Sequence, residues 1–327
     1  MKYVFGPVPS RRLGNSLGVD LVTFKACTFD CVYCQLGRTT EQTTERRSFV
    51  PADEVVAEVR EVLDSGAAVD YVTLSGSGEP TLSLDLGQVI HAIKGFTAIP
   101  VAVLTNGSLL WRGDVRADLA EADLVIPSLD AARQETFERI NRPAPGLDAE
   151  AIARGIRDFT LGYGGRVWLE VLVVAGLNDS PEEARAVVRA LEGARIDKVQ
   201  LNTVVRAPAE AWAKPATEER LAEMAQVLGA LAPVEIIGGY HRAGHESGRA
   251  DPAEAILATL ARRPCGAAEL AASLGLKPSI VVRHVQELER AGKLERILVG
   301  GQAQYRTPPD PKSETRNPKQ YRNPNPT

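Results

Sequence analysis

Leu17-Gly18-Val19-Asp20-Leu21-Val22-Thr23 is a short, mostly apolar run that leads through Phe24-Lys25-Ala26 straight into Cys27-Thr28-Phe29-Asp30-Cys31-Val32-Tyr33-Cys34. Taken alone, residues 17–23 read as a buried strand. Runs of the same kind recur at 71–75, 101–105, 124–129, 167–174 and 199–203, with a seventh candidate at 234–237. Longer amphipathic segments lie between them. Residues 53–63 place Val55, Val56, Val59 and Leu63 on one helical stripe, and similar patterns fit 86–96, 132–140, 151–159, 181–191 and 219–231. Short apolar runs alternating with helical stripes are the mark of repeated βα units, hence of a parallel sheet. One helix start is explicit. Ser180-Pro181-Glu182-Glu183 offers a capping hydroxyl, proline at the first helical position and acids at the positive end of the helix.

About six such units predict an α/β fold, a partial (β/α)6 TIM-like barrel whose active face is formed by strand C-termini and the loops after them. The composition changes near Asp251-Pro252. Residues 255–262, 267–274 and 279–291 read as three helices, followed by two short strands, 294–299 and 302–306, joined through Gly300-Gly301. That order predicts a small C-terminal winged helix-turn-helix-like domain. The expected division is a core over 1–245, the small domain over 252–307, and a tail over 308–327. The tail is rich in Pro, Asn, Lys and Arg, has almost nothing to bury, and is expected to be disordered. Two domains also suit 327 residues, because single cores seldom grow past about 250 to 300 residues.

A net charge of -4 gives no global attraction to phosphate backbones, so any nucleic-acid contact must come from a local basic face. Over 251–307, eight Lys or Arg stand against six Asp or Glu, a weakly basic balance. No run approaches the roughly 18 apolar residues of a membrane span, and the N-terminus lacks a signal-peptide stretch. A cytoplasmic protein with no membrane partner is expected. Three of the four cysteines lie within eight residues, which fits a metal in a reducing compartment better than a disulfide framework.

Cys27, Cys31 and Cys34 are spaced by three residues and then two. Three thiolates on one short loop can ligate three irons of a cubane and leave the fourth open. A zinc site or a set of buried thiols is the alternative. Zinc takes a fourth Cys or His, and the remaining cysteine, Cys265, falls in the C-terminal segment. Ser75-Gly76-Ser77-Gly78-Glu79-Pro80 closes the second of these strands, Leu104-Thr105-Asn106-Gly107 the third and Ser128-Leu129-Asp130 the fourth. Glu170 and Asn202 interrupt otherwise apolar strands, where a barrel interior holds polar groups only when they are paired or bind something. Plain turns, a helix cap at Asp130 and structural hydrogen bonding are the alternatives for these segments.

The cysteine spacing, with Tyr33 before the last thiol, resembles the signature of the radical S-adenosylmethionine superfamily, and the other segments follow in the expected order from about Val4 to Gly239. The resemblance implies a [4Fe-4S] cluster on Cys27, Cys31 and Cys34 and S-adenosylmethionine as cofactors. It implies that reductive cleavage of S-adenosylmethionine yields a 5'-deoxyadenosyl radical that abstracts hydrogen from a substrate, with a reductant such as flavodoxin or ferredoxin as partner. Cofactor contacts are implied at Tyr33, Ser77, Gly78 and Glu79, at Thr105 and Asn106, at Ser128 and Asp130, and at Glu170 and Asn202. Phe5 through Gly14 and Lys25 through Gly37 look like a subgroup related to wyosine tRNA-base synthases, which suggests tRNA-base modification. This chain lacks the cysteines for those relatives' second cluster. The residues identify neither the substrate, a tRNA or a protein, nor a catalytic side chain. Arg11-Arg12 could clamp a carboxylate or phosphate, or be a solvated pair.

A second class of function stands beside the enzyme: an iron-sulfur redox-sensing, DNA-binding regulator. It explains the C-terminal domain, through which nucleic acid would be bound, but leaves the segments at Glu79 and Asp130 without purpose. His241 and His245 read as surface-loop residues, because glycines interrupt their segment, and His91 as half-buried helix packing.

Overall fold

The computed structural model describes residues 1–10, 12–237, 252–261, 264–274, 276, 278–299 and 302–308. Arg11, His241, His245, the Gly300-Gly301 turn and the tail from 309 lie outside the described residues. In chain order the core elements are β1 (Val4–Ser10), β2 (Gly14–Val19), β3 (Ala26–Cys27), β4 (Glu41–Gln42), α1 (Ala52–Asp64), β5 (Tyr71–Leu74), α2 (Leu86–Lys94), β6 (Val101–Thr105), α3 (Gly113–Asp118) and β7 (Leu124–Pro127). They continue with α4 (Gln134–Asn141), α5 (Ala149–Gly162), β8 (Arg166–Val173), α6 (Pro181–Ala190), β9 (Lys198–Thr203), α7 (Glu218–Leu228) and β10 (Val234–Ile236). After these come α8 (Pro252–Leu260), α9 (Ala267–Ser273), α10 (Pro278–Arg290), β11 (Glu295–Val299) and β12 (Gln302–Arg306).

The main sheet runs β1-β2-β5-β6-β7-β8-β9-β10, parallel from β2 onward, with β1 antiparallel to β2 at one edge. β1 and β10 are the two edges and do not pair, so the barrel is partial. Successive side chains of a strand point to opposite faces, and β8 shows the result. Val167, Leu169, Val171 and Val173 bury in the main core with the helices, while Trp168, Glu170 and Leu172 turn to the concave face. On that face Leu13, in the turn between β1 and β2, packs with Ala102, Leu124 and Ile126. Ser180 caps α6 as its sequence indicates, its Oγ accepting from the Glu183 N–H at 3.3 Å.

Several expectations need correction. The first expected strand starts at Gly14, three residues early, and ends at Val19; beyond it Asp20 still donates its N–H to Tyr3 O (2.8 Å), while its carboxylate accepts from the Ser77 N–H (2.6 Å) and Oγ (3.1 Å). β1 was not expected as a strand; its two prolines suit an edge, where a missing N–H costs no ladder bond. β7 stops at Pro127, and α3, six residues long, is too short to show a stripe. His91 is exposed, not half-buried, and its Nδ1 lies 3.0 Å from Glu121.

The C-terminal helices α8 to α10 and the β11-β12 hairpin share a second hydrophobic cluster, built on Ile256, Leu260, Leu270, Val281 and Val285. Cys265 is buried in it. This unit reaches the core through the loop after β9. Arg206 Nη2 donates to Glu269 of α9 at 2.9 Å, and Gln304 of β12 bonds the Val205 carbonyl (3.0 Å) and the Ala207 N–H (3.2 Å). No described helix is long and apolar enough to cross a membrane.

Candidate active site

The cysteine loop leaves β3 and is anchored on the end of α4: the Asp30 and Val32 N–H groups donate to the Asn141 and Ile140 carbonyls at 3.0 and 2.9 Å. Each half-buried cysteine has its own nitrogen donor. Asn106 Nδ2 lies 3.6 Å from Cys27 Sγ, Asn141 Nδ2 3.4 Å from Cys31 Sγ, and Lys25 Nζ 3.1 Å from Cys34 Sγ. The donors come from the end of β6, the end of α4 and the entry to the loop, so the chain closes around the thiols from three sides. Burial pushes the Cys27 thiol up to about 12, with the Glu79 carboxylate adding to it, and burial likewise raises Cys31 well above its ordinary value.

Lys25 is held unusually. Its backbone is left-handed (φ 60°), which for a residue other than glycine costs about 1 to 3 kcal/mol. Three hydrogen bonds impose it: the Lys25 N–H donates to Ser77 O (2.6 Å), and its carbonyl accepts from Thr40 N (3.3 Å) and Glu41 N (3.2 Å). The side chain is thereby turned inward, leaving the residue 3% exposed.

The turn after β5 packs hard against this loop. A Cβ at Gly78 would lie 1.9 Å from the Ala26 carbonyl oxygen, and one at Gly76 (φ 122°) 1.8 Å from Asp20 Oδ1, so only glycine fits either place. Glu79, 2% exposed, is fully engaged by the protein. Oε1 accepts from Thr81 N (3.1 Å), Thr81 Oγ1 (2.6 Å) and Thr105 Oγ1 (2.6 Å), and Oε2 accepts from Asn106 N (2.7 Å). Burial raises its pKa against the pull of these donors. Glu79 and Thr105 thus tie the turn to the end of β6 and set Asn106 beside Cys27.

Asp130 does not cap a helix; α4 starts after Arg133. Its Oδ2 accepts from Tyr33 Oη (2.5 Å) and Asn141 Nδ2 (2.8 Å), and Oδ1 from Leu172 N (2.9 Å). Burial moves Asp130 up to about 6 despite these bonds. Tyr33, Asp130 and Asn141 therefore form one network under Cys31. Glu170 and Asn202 meet apart from it, at 3.2 Å, with Ser128 Oγ 3.5 Å from Glu170. Arg12 grips Glu170 through both ends of its guanidinium, so this arginine clamps a carboxylate of the protein itself. Beside Glu170 in register, Gln200 is fully buried with neither end of its amide hydrogen-bonded.

The motif reading missed Lys25, Asn141 and Gln200. Lys25 stands two residues before Cys27, a signal in plain view; Asn141 lies 110 residues from Cys31 and had none.

The donor set fits an iron-sulfur cubane better than a single ion. Among the described residues, no three His, Cys, Asp or Glu side chains converge as ligands of one metal ion. A cubane instead takes each thiolate at a different iron. Three thiols on one loop, each with a nitrogen donor, and the buried Asn141 Oδ1 without a partner beside them suit such a group.

Fold and site define a partial-barrel enzyme whose chemistry is carried by a thiol-bound cofactor at the C-terminal ends of parallel strands. The profile of the Radical SAM superfamily matches residues 21–191, and the chain belongs to this superfamily. It is a radical S-adenosylmethionine enzyme, of a family whose cofactors are a [4Fe-4S] cluster and S-adenosylmethionine. The chain is similar to the GTPase Obg of Brachyspira hyodysenteriae (36% identity over 93% of this chain), of whose length it spans 45%. It is 36% identical to a UPF0026 protein of Methanocaldococcus jannaschii, covering 73% of each chain. A probable dual-specificity RNA methyltransferase RlmN of Symbiobacterium thermophilum is 28% identical over 68% of this chain and 60% of its own. In fold, the chain resembles a radical SAM methyltransferase from Sphaerobacter thermophilus: TM-score 0.52, 21% identity, covering 68% of this chain and 65% of that one.

Proposed function

We propose that this enzyme modifies a base in RNA, with tRNA as the substrate, and that its C-terminal unit is a winged-helix-like domain presenting that substrate to the barrel. The observation that carries the reading is Arg206, whose Nη1 donates to Gln35, next to Cys34, at 2.6 Å while its Nη2 binds Glu269 of α9. One side chain thereby joins the C-terminal unit to the thiol loop. The similarity to an RNA methyltransferase, and the resemblance to wyosine synthases, point the same way. The domain limits in this reading are 1–245 and 252–307. The protein works in the cytoplasm with a flavodoxin- or ferredoxin-type reductant.

In this reading Cys27, Cys31 and Cys34 would hold the cluster, and the turn at Ser77 and Gly78 would offer backbone carbonyls to the cofactor's amino group. When bound and reduced, the cofactor pair supplies a carbon radical able to take hydrogen from an unactivated carbon. The protein's residues exclude water and orient the target. Glu79, Thr105 and Asn106 fix the floor of the site, Tyr33 and Asp130 brace the thiol loop, and Ser128, Glu170 and Asn202 offer polar groups on the concave face.

The test is anaerobic turnover of the reconstituted, dithionite-reduced protein with S-adenosylmethionine and tRNA from cells lacking the enzyme. The expected outcome is 5'-deoxyadenosine together with a mass change in one tRNA nucleoside, both lost in Cys27→Ala, Cys31→Ala and Cys34→Ala along with the iron. Turnover that no RNA alters would refute the substrate. Cluster-dependent DNA binding without turnover would favour the redox-sensing regulator.

A further inference from the structure

Lys25 is a cation buried beside thiols. Its ammonium donates to Cys34 Sγ at 3.1 Å, the residue is 3% exposed, and no carboxylate pairs with it among the described residues. Cys27 also feels its charge. A buried charge persists only where something of opposite sign compensates it. The backbone at Lys25 is left-handed and held there by bonds to Ser77, Thr40 and Glu41, so the chain accepts a strained conformation at the residue that carries this cation. Strain of that kind points from the outlier to a function. The reach of Asn106 and Asn141 to the other two sulfurs gives each thiol one N–H donor, but only Cys34 receives a charged one.

We infer that Lys25 is a positioning residue that sets the reduction potential of the cluster, by donating a charged hydrogen bond to the Cys34 thiolate. The inference rests on the reading of Cys27, Cys31 and Cys34 as cluster ligands. Cluster potentials follow net charge and hydrogen bonds to the sulfurs. The couple gains one electron from an external reductant, and a fixed positive charge at one sulfur favours the more negative, reduced state. Lys25 therefore raises the midpoint potential and eases the entry of that electron.

The experiment is a dithionite titration of the anaerobic, reconstituted full-length protein followed by electron paramagnetic resonance, without S-adenosylmethionine. Lys25→Met is expected to keep its iron and sulfide content and to shift the midpoint to a more negative potential. Lys25→Arg is expected to stay nearer the parent. An unchanged midpoint in a fully loaded Lys25→Met protein overturns the inference. So does a shift that appears only once S-adenosylmethionine is added, because Lys25 would then act on that cofactor. If Lys25→Met folds by circular dichroism but takes up no iron, loading of Lys25→Arg supports the role of the charge, and failure of both overturns it. A parent protein that holds no cluster would sink the ligand assignment itself, a result visible before any variant is compared.

Discussion

Arg12 and Glu170 meet across the concave face of the sheet, Nη1 to Oε2 at 2.9 Å and Nη2 to Oε1 at 2.5 Å, with side chains 14% and 12% exposed. Arg12 lies in the turn between β1 and β2, and Glu170 in β8, 158 positions away. The pair therefore fastens the edge hairpin to the far strands of an open barrel. Paired forks of this geometry are the strong form of an ion pair.

Breaking one side of the pair should be costly. Removing one partner of a buried pair costs about 3 to 5 kcal/mol, and with both side chains keeping slight water contact Glu170→Leu is expected to cost roughly 2 kcal/mol. The Arg12→Leu, Glu170→Leu double variant should recover part of that loss. Denaturant unfolding of the two single variants and the double variant measures the coupling; strictly additive losses would show that the pair does not act as a unit.

Gly78→Ala should disturb the thiol loop, since the new Cβ would sit 1.9 Å from the Ala26 oxygen, one residue before Cys27. Overpacking of this kind costs about 1 to 3 kcal/mol. A lower melting temperature and reduced iron uptake are the expected readings. Gly113→Ala, at the open start of α3 with nothing within 4 Å, is the matching control and should be neutral or slightly stabilising.

A pH effect is expected at Glu58. Burial pushes its carboxyl up, but the N–H groups of Lys2, Tyr3 and Val4 outweigh that and hold it below its ordinary value near 4.5. A group lowered on folding stabilises the protein above its unfolded pKa and loses that contribution as pH falls through the folded one. Glu58→Gln should thus be less stable than the parent at pH 7, and the gap should narrow below about pH 4.5. Unfolding curves at both pH values check the sign.

Arg206→Ala should loosen the C-terminal unit without touching the sheet. It removes the bond from Arg206 to Glu269 and the bond to Gln35 at once. Hydrogen exchange is expected to rise in α9 and in β12, where Gln304 borders the same loop, and to stay unchanged in β6 and β7.

The strands were readable because each is a short apolar run set between helical stripes, and the thiol loop because its spacing is local. What escaped reading was contact between distant residues. Nothing near Arg12 announces Glu170, and nothing near Cys31 announces Asn141. Glu79 illustrates the converse: the resemblance implies a cofactor contact there, and four protein donors already engage its carboxylate. β1 was missed because Pro7 and Pro9 break the apolar pattern, which matters little at an edge strand.

Gln200 is fully buried, and no protein group bonds either end of its amide. Leaving a buried donor or acceptor unsatisfied costs about 1 to 3 kcal/mol. An apolar side chain of similar size would carry no such burden, so the amide stands at this place in the sheet at a cost to the fold itself.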